Sequence, residues 1–153
     1  MTISISSNPG STPNAAEVVA RLDLAPHPEG GFYRETWRDQ PADSSQRGHG
    51  TAIYFLLPGG VVNRWHRVDA VEIWHHYAGA PLELRIGRQD PVADQTLLLG
   101  PDLASDQRPQ GIVPADAWQS ARSLGDWTLV GCTVCPAFRF EGFQMLDDPA
   151  DAS

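Results

Sequence analysis

The stretch that decides the fold runs from residue 60 to residue 79 and reads Gly60-Val-Val-Asn-Arg-Trp-His66-Arg-Val68-Asp-Ala-Val-Glu72-Ile-Trp-His-His-Tyr-Ala-Gly79. Two short segments in it, 63–68 and 71–77, are predicted to be strands. Successive side chains of a strand point to opposite faces, so His66 and Val68 share one face. We therefore expect a histidine and a carboxylate, Glu72, to come from two consecutive strands.

The rest of the chain repeats this succession of short strands and turns. Glycine and proline number 14 and 13 of the 153 residues, which favours frequent turns over long helices. About ten strands are predicted, at 32–37, 51–57, 63–68, 71–77, 82–88, 95–99, 111–113, 118–123, 127–134 and 138–145. The pattern is typical of an all-β sandwich or barrel. An immunoglobulin-like sandwich is the alternative on pattern alone, although its Cys…Trp…Cys spacing is missing.

One helix is predicted before the first strand. Asn14 can cap its N-terminus, and Glu17 completes a capping box. Four apolar residues follow the helical period on one face: Ala15, Val18, Val19 and Leu22. The chain length suits one domain. We divide it into a disordered tail at 1–12, a single domain at 13–147 and a frayed tail at 148–153.

The charge composition excludes several classes of function. All 11 basic residues are arginines, against 19 acidic residues, and the net charge is −8. Without lysine the chain can form no Schiff base and no Walker A phosphate loop. Such an acidic chain is not expected to bind nucleic acid, because phosphate neutralisation supplies most of that affinity. No apolar run approaches the roughly 20 residues of a membrane span, so no membrane partner is expected.

The two cysteines, Cys132 and Cys135, form a single CxxC pair. In a redox or metal site they would act together. They fall in and just beyond the strand predicted at 127–134, where residues three apart face opposite sides with Cα atoms about 10 Å apart. That distance is too long for a disulfide. We therefore interpret both as structural cysteines of a cytoplasmic protein.

The stretch at 60–79 resembles the first cupin motif, Gly-x5-His-x-His-x3-Glu-x6-Gly. Four positions agree with the motif: Gly60, His66, Glu72 and Gly79. Val68 stands where the motif has its second histidine. The second motif, Pro-x-Gly-x2-His, is only partly kept. Pro114 is at the proline position, Asp116 replaces the glycine and Gln119 replaces the histidine. Further runs, at 27–36, 51–57 and 113–119, resemble the DUF985 or Cupin_5 branch of the superfamily. This likeness extends over residues 15–147.

The resemblance implies a double-stranded β-helix, the cupin jelly-roll barrel, with a short N-terminal helix. It also implies a ligand pocket in the barrel mouth and a homodimer. A metal-binding cupin would use both motif histidines, yet this chain offers His66, Glu72 and Gln119. An amide oxygen is a poor substitute for imidazole. His76 lies about 13 Å along the strand from Glu72. No cofactor is therefore expected, and a divalent metal on those three residues is the alternative.

Without a metal, His66 is predicted to act as a general base that Glu72 orients. Other residues are predicted to bind the ligand, with Trp74 as an aromatic wall and two arginines as anion contacts: Tyr33, Arg34, Tyr54, Arg64, Trp74, His76 and Gln119. The turn Glu29-Gly30-Gly31 is predicted to lie at the pocket rim.

Three functional hypotheses follow. The first is a metal-independent isomerase or epimerase that acts on a small sugar-like or nucleotide-linked substrate. The second is a cupin that binds a small molecule without catalysis. The third is a metal-dependent oxygenase or hydrolase with a degenerate metal site.

Overall fold

A computed structural model describes residues 11–146 of the chain. The predicted tails at 1–12 and 148–153 lie outside this range, apart from residues 11 and 12. The described elements are α1 (Ala15–Leu22), β1 (Ala25–Pro26), β2 (Phe32–Arg38), β3 (Thr51–Pro58), β4 (Val62–Val68), β5 (Val71–Gly79), β6 (Leu82–Gly87), β7 (Gln95–Leu99), β8 (Gln110–Val113), β9 (Trp118–Ser123), β10 (Trp127–Cys135) and β11 (Phe143–Met145). Short 3-10 turns occupy Leu103–Ser105 and Phe140–Gly142. No helix in the described range is long and apolar enough to cross a membrane.

The strands form two antiparallel sheets. One has the order β1-β2-β3-β10-β5-β8 and the other the order β11-β4-β9-β6-β7. Neighbouring strands are mostly distant in sequence, as in the pairing of β10 with both β3 and β5. This arrangement of two facing antiparallel sheets is the double-stranded β-helix that the sequence predicted.

The helix α1 forms where the capping pattern predicts it. The side chain of Asn14 accepts a hydrogen bond of 2.9 Å from the backbone N–H of Glu17. Asp23, in the left-handed region at φ 55°, ends the helix. The apolar face packs on the outside of the six-stranded sheet, where Val18 joins Leu56 and Trp127. The helix therefore covers part of the sheet and leaves the barrel interior free.

Apolar side chains fill one end of the barrel. The cluster between the sheets includes Phe55, Leu57, Trp74, Leu84 and Val130. At the opposite end, the start of β3 pairs with the end of β10, which in turn pairs with the start of β5. The inward residues at that end are largely polar, and they surround a cavity.

The segment predicted as one strand at 138–145 differs from expectation. Only Phe143–Met145 is a strand, and Phe140–Gly142 forms a 3-10 turn. The rings of Phe138, Phe140 and Phe143 pack edge to face on one another, with centroids 5.2–6.4 Å apart. A regular strand would place Phe143 on the opposite side from Phe138 and Phe140. Instead all three rings line the same cavity and pack on one another, so the segment is not a regular strand.

Candidate active site

The cavity lies at the polar end of the barrel and has a volume of about 70 Å³. That space holds several water molecules or one small polar molecule. Its buried end is lined by titratable side chains: His27, Glu29, His66 and Glu72. Tyr33, Thr51 and Cys132 lie along its wall, and the three phenylalanines stand at its mouth. The site is polar inside and aromatic at the entrance.

Glu29 reaches the interior from a tight turn between α1 and β2. The backbone N–H of His27 donates to the backbone carbonyl of Gly31 at 2.9 Å, which closes the turn. Gly30 and Gly31 have φ angles of 96° and 85°, a conformation that favours glycine. The carbonyl of Glu29 accepts the N–H of Arg64 on β4 at 2.8 Å. These contacts turn the Glu29 carboxyl inward, where the residue is 7% exposed.

Glu29 and His66 are in direct contact. The Nε2 atom of His66 lies 3.2 Å from Oε2 of Glu29. The other ring nitrogen, Nδ1, lies 2.7 Å from the carbonyl of Arg64 and must donate to it. In the neutral imidazole, Nε2 therefore carries the lone pair and faces the carboxyl. The Arg64 carbonyl and Glu29 orient the ring, which corrects the prediction that Glu72 is the orienting residue.

The environment moves the two carboxyl groups toward their neutral forms. Burial raises the pKa of Glu29 to about 8, and the nearby Asn63 amide opposes this. Burial also raises the pKa of Glu72 to about 7; His66 lowers it and Glu29 raises it further. Burial lowers the pKa of His66, against the opposing effects of Glu72 and the Arg64 carbonyl. These shifts favour a protonated Glu29 beside a neutral His66, whose Nε2 can accept a hydrogen bond from the carboxyl.

His27 contributes a second neutral imidazole. Its Nδ1 accepts the backbone N–H of Glu29 at 3.1 Å, which leaves the ring proton on Nε2. Burial lowers the pKa of His27 to about 4, and His66 adds to the effect. Tyr33 packs edge to face against the ring at a centroid distance of 4.5 Å. His27 is therefore a neutral hydrogen-bond donor at physiological pH.

Glu72 is held by two buried hydrogen bonds in series, from Trp74 to Gln119 and from Gln119 to Glu72. The indole Nε1–H of Trp74 donates to Oε1 of Gln119 at 2.7 Å. Because an indole can only donate, it fixes which atom of the amide is oxygen. The amide nitrogen of Gln119 then faces Oε1 of Glu72 at 3.4 Å. Trp74 and Gln119 lie behind the cavity and do not line it.

These two hydrogen bonds bear on the metal alternative. The Oε1 atom of Gln119, its one metal-binding atom, is occupied by the Trp74 N–H. Val68, which lines the cavity where the motif has its second histidine, has no donor atom. Among residues 11–146, no three His, Cys, Asp or Glu side chains are arranged to hold a metal ion. A metal held by His66, Glu72 and Gln119 would have to displace the Trp74 N–H from the Gln119 oxygen.

The structure brings some predicted ligand-binding residues to the cavity and places others elsewhere. Tyr33 lines it. Arg34 alternates with inward Tyr33 and is exposed, and Tyr54 packs beneath α1 on the outer face. The guanidinium of Arg64 donates to the carbonyl of Leu146 at 3.0 Å. His76 lies toward the filled end, with Nε2 3.0 Å from the Ala80 carbonyl. These four residues do not line the cavity.

Two irregularities explain which residues were missed. In β4 the register with β9 shifts between Asn63 and His66, so both side chains are buried. In β2 the register with β3 shifts between Glu35 and Trp37, and Arg38 reaches the cavity. A β-bulge changes the face on which later side chains lie, which alternation alone cannot show.

The comparison with known proteins agrees with this architecture. The family model described as Cupin superfamily (DUF985), Cupin_5, matches residues 16–146. The chain belongs to the Cupin_5 family. No curated protein matches this cupin. The predicted family and fold are thus confirmed, while the matched family model describes no reaction.

Several solved structures are similar to this chain. Protein SO0799 from Shewanella oneidensis is 37% identical with a TM-score of 0.82, over 91% of this chain and 88% of that one. A hypothetical protein from Leishmania major is 29% identical with a TM-score of 0.77, over 86% of each chain. A cupin-2 domain from Rhodospirillum rubrum is 16% identical with a TM-score of 0.58, over 85% and 78% of the two chains, and shows the fold alone.

The raised pKa of Glu29 predicts how stability depends on pH. The folded pKa of about 8 exceeds the ordinary glutamate value of 4.5, so the contribution of Glu29 to stability is complete below about pH 4.5. It is lost as pH rises from there through about 8. Replacing Glu29 by glutamine should flatten the free energy of unfolding over this range, by on the order of 3 kcal/mol. Urea denaturation of both proteins between pH 5 and 8 measures this, and parallel curves would contradict it.

Proposed function

We propose that this cupin binds a small polar, sugar-like molecule and transfers a proton on it without a metal, as an isomerase or epimerase does. The observation that supports this is the contact of 3.2 Å between Nε2 of His66 and Oε2 of Glu29 at the buried end of the cavity. One group offers a lone pair and the other a proton. General acid–base catalysis needs such a pair, with pKa values near the working pH.

The proposed reaction begins when a substrate enters between the two groups. Nε2 of His66 takes the proton from a carbon next to a carbonyl, and the C–H electron pair moves into the enediol. The carboxyl of Glu29 gives its proton to the carbonyl oxygen. Return of a proton to carbon and of a proton to Glu29 completes the cycle. Glu72, with a pKa of about 7, is a second group that can return the proton.

The charge of the lining favours the sugar-like part of the predicted substrate over a phosphate. Among the described lining residues, Arg38 is the one arginine. Its Nε and Nη2 bind the two carboxylate oxygens of Glu35 at 2.8 Å each, and its Nη1 donates to the Phe138 carbonyl at 2.8 Å. With these partners, Arg38 is engaged as a structural group. We propose that the part of the substrate that enters is neutral.

The aromatic mouth is proposed to hold the ring of the ligand. Phe140 is 62% exposed although it lines the cavity. Replacing it by alanine should weaken ligand binding about two- to tenfold, because ring stacking contributes about 0.5–1.5 kcal/mol. Titration calorimetry of both proteins measures the loss. Leu103→Ala, at an equally exposed position on a remote 3-10 turn, is the control and should bind as the wild type does.

Solvent exchange tests the proposed reaction. The protein is incubated in D2O with a panel of aldoses, ketoses and hydroxyketones, and proton NMR follows the C–H signal beside the carbonyl. Loss of that signal only with protein present supports proton transfer. Binding of a panel member without exchange would instead support the alternative function, a non-catalytic small-molecule pocket. One observation favours that alternative: Glu29 and His66 can hydrogen-bond to each other, and this contact stabilises the pair without any substrate or reaction.

The predicted homodimer and cytoplasmic location remain proposals. Two exposed apolar side chains on the outer face of the six-stranded sheet, Tyr77 and Ile112, support association of two copies. Cys132 and Cys135 are both free, one buried and one exposed, which agrees with the predicted absence of a disulfide. Free cysteines support a reducing compartment. Sedimentation analysis tests the dimer.

A further inference from the structure

Asn63 lies in the barrel interior because of the bulge in β4. It pairs with Ala121 of β9, whereas His66 pairs with Gln119, so β4 has one extra residue between the two pairs. Asn63 is consequently 0% exposed and His66 is 1% exposed. A regular strand would place residues 63 and 66 on opposite faces. The bulge thus places an amide on the same side of the sheet as the imidazole.

The amide of Asn63 lies close enough to the Glu29 carboxyl to lower its pKa, but neither amide atom comes within hydrogen-bond distance of a partner among the described residues. Both Oδ1 and Nδ2 are buried and unpaired. Leaving a buried polar atom unpaired costs about 1–3 kcal/mol, so such groups normally have a role or a partner that forms in another state. The neighbouring Ser120 hydroxyl binds the backbone carbonyl of Asn63 at 2.7 Å and leaves the side chain untouched.

Glu29 is an ionisable neighbour of this amide. The turn that carries it packs on β4 at this point, since Arg64 donates its N–H to the Glu29 carbonyl at 2.8 Å. A methyl group at Gly30 would lie 4.0 Å from the Cα of Asn63. The amide also lowers the pKa of Glu29 against the effect of burial. Asn63 therefore favours the ionised form of this carboxyl.

We propose that Asn63 is a positioning residue that receives the Glu29 carboxylate once that group has given up its proton. In the protonated state, Glu29 faces Nε2 of His66. After proton transfer, a carboxylate in this interior needs a donor, and Nδ2 of Asn63 is a free one. The catalytic part of this role rests on the proposed function. The stabilisation of ionised Glu29 does not depend on it.

Infrared titration of the protein in D2O tests this directly. The carbonyl band of protonated Glu29 is identified as the band that Glu29→Gln removes, and its disappearance with rising pH gives the midpoint. Asn63→Leu keeps the volume and removes the donor, and it should raise the midpoint by about one pH unit, a tenfold lower ionised fraction at a given pH. Asn63→Ser keeps a donor and should show a smaller rise.

Several groups around Glu29 must be considered in this titration. His27 lies on the same turn, His66 on β4, Glu72 on β5 and Cys132 on β10. All of these residues are retained in the Asn63 variants. Ser120→Ala is the matched control, because it alters a buried contact to the same backbone without touching the amide. It should leave the midpoint unchanged.

The outcomes separate the possibilities. An unchanged midpoint in Asn63→Leu would overturn the proposal, above all if that variant is also more stable, as expected for removal of an idle buried amide. If Asn63→Leu does not fold, an unchanged midpoint in Asn63→Ser and Asn63→Ala would overturn it equally. The infrared measurement needs no substrate. Absence of solvent exchange would therefore reject the proposed reaction without affecting this result.

Discussion

Replacing His66 by asparagine is expected to slow solvent exchange into the substrate by at least about 100-fold. Asparagine can keep the hydrogen bond that Nδ1 donates to the Arg64 carbonyl, and it removes the Nε2 lone pair that faces Glu29. The fold should therefore be retained while the base is lost. Exchange rates from NMR, with circular dichroism as the check on folding, measure the effect.

The control for this variant is His75→Asn. His75 follows on β5, where it stacks on Tyr77 and its Nε2 lies 3.2 Å from the Thr133 hydroxyl, away from the cavity. The His75→Asn variant should exchange the substrate proton with solvent at the wild-type rate. Full exchange by His66→Asn would remove His66 from the reaction, whereas Glu29→Gln with normal exchange would remove Glu29 as the acid.

Replacing Gly31 by alanine should destabilise the protein by about 3 kcal/mol and lower Tm by roughly 6–12 °C. Gly31 has a φ of 85°, and a Cβ there would lie 2.7 Å from the Leu56 carbonyl oxygen and 2.9 Å from the Phe55 ring. Backbone and a buried ring must both shift. The same turn carries Glu29, so the variant should also lose exchange activity. Thermal denaturation and the exchange assay measure the two effects.

Gly60 provides the matched control for Gly31. Its φ is 80°, yet a Cβ there meets nothing within 4 Å. Gly60→Ala therefore carries the conformational cost alone, about 1 kcal/mol. Equal losses of stability in the two alanine variants would show that the contact with β3 contributes nothing.

The fold could be predicted because its signals are local. The capping box at Asn14 and the short runs between turns that predict β3 to β6 depend only on neighbouring residues, and the helix and these strands agree with the structure. The strand predicted at 138–145 was largely wrong because three phenylalanines pack on one another. That packing depends on chain segments brought together by the fold.

The site could be predicted only in part. His66 and Glu72 were found because they occupy motif positions, and both lie in the cavity. Glu29 was recognised as part of a turn, although it contacts His66 more closely than any other described carboxylate. Its role depends on where the turn packs and on the bulge in β4. Neither feature has a signature in residue spacing.

The cavity is closed by pieces from opposite ends of the sequence. The turn at 27–31 precedes β2, and the aromatic segment at 138–143 follows β10. Arg38, at the far end of β2 from the turn, donates to the Phe138 carbonyl. Neither piece belongs to the filled half of the barrel. The turn is tied to the framework, because Gly31 packs closely against β3 and its replacement lowers stability. Phe140, which is 62% exposed, can vary at less cost to the barrel. The aromatic segment is therefore the part of the entrance where substrate choice can change separately from structural integrity.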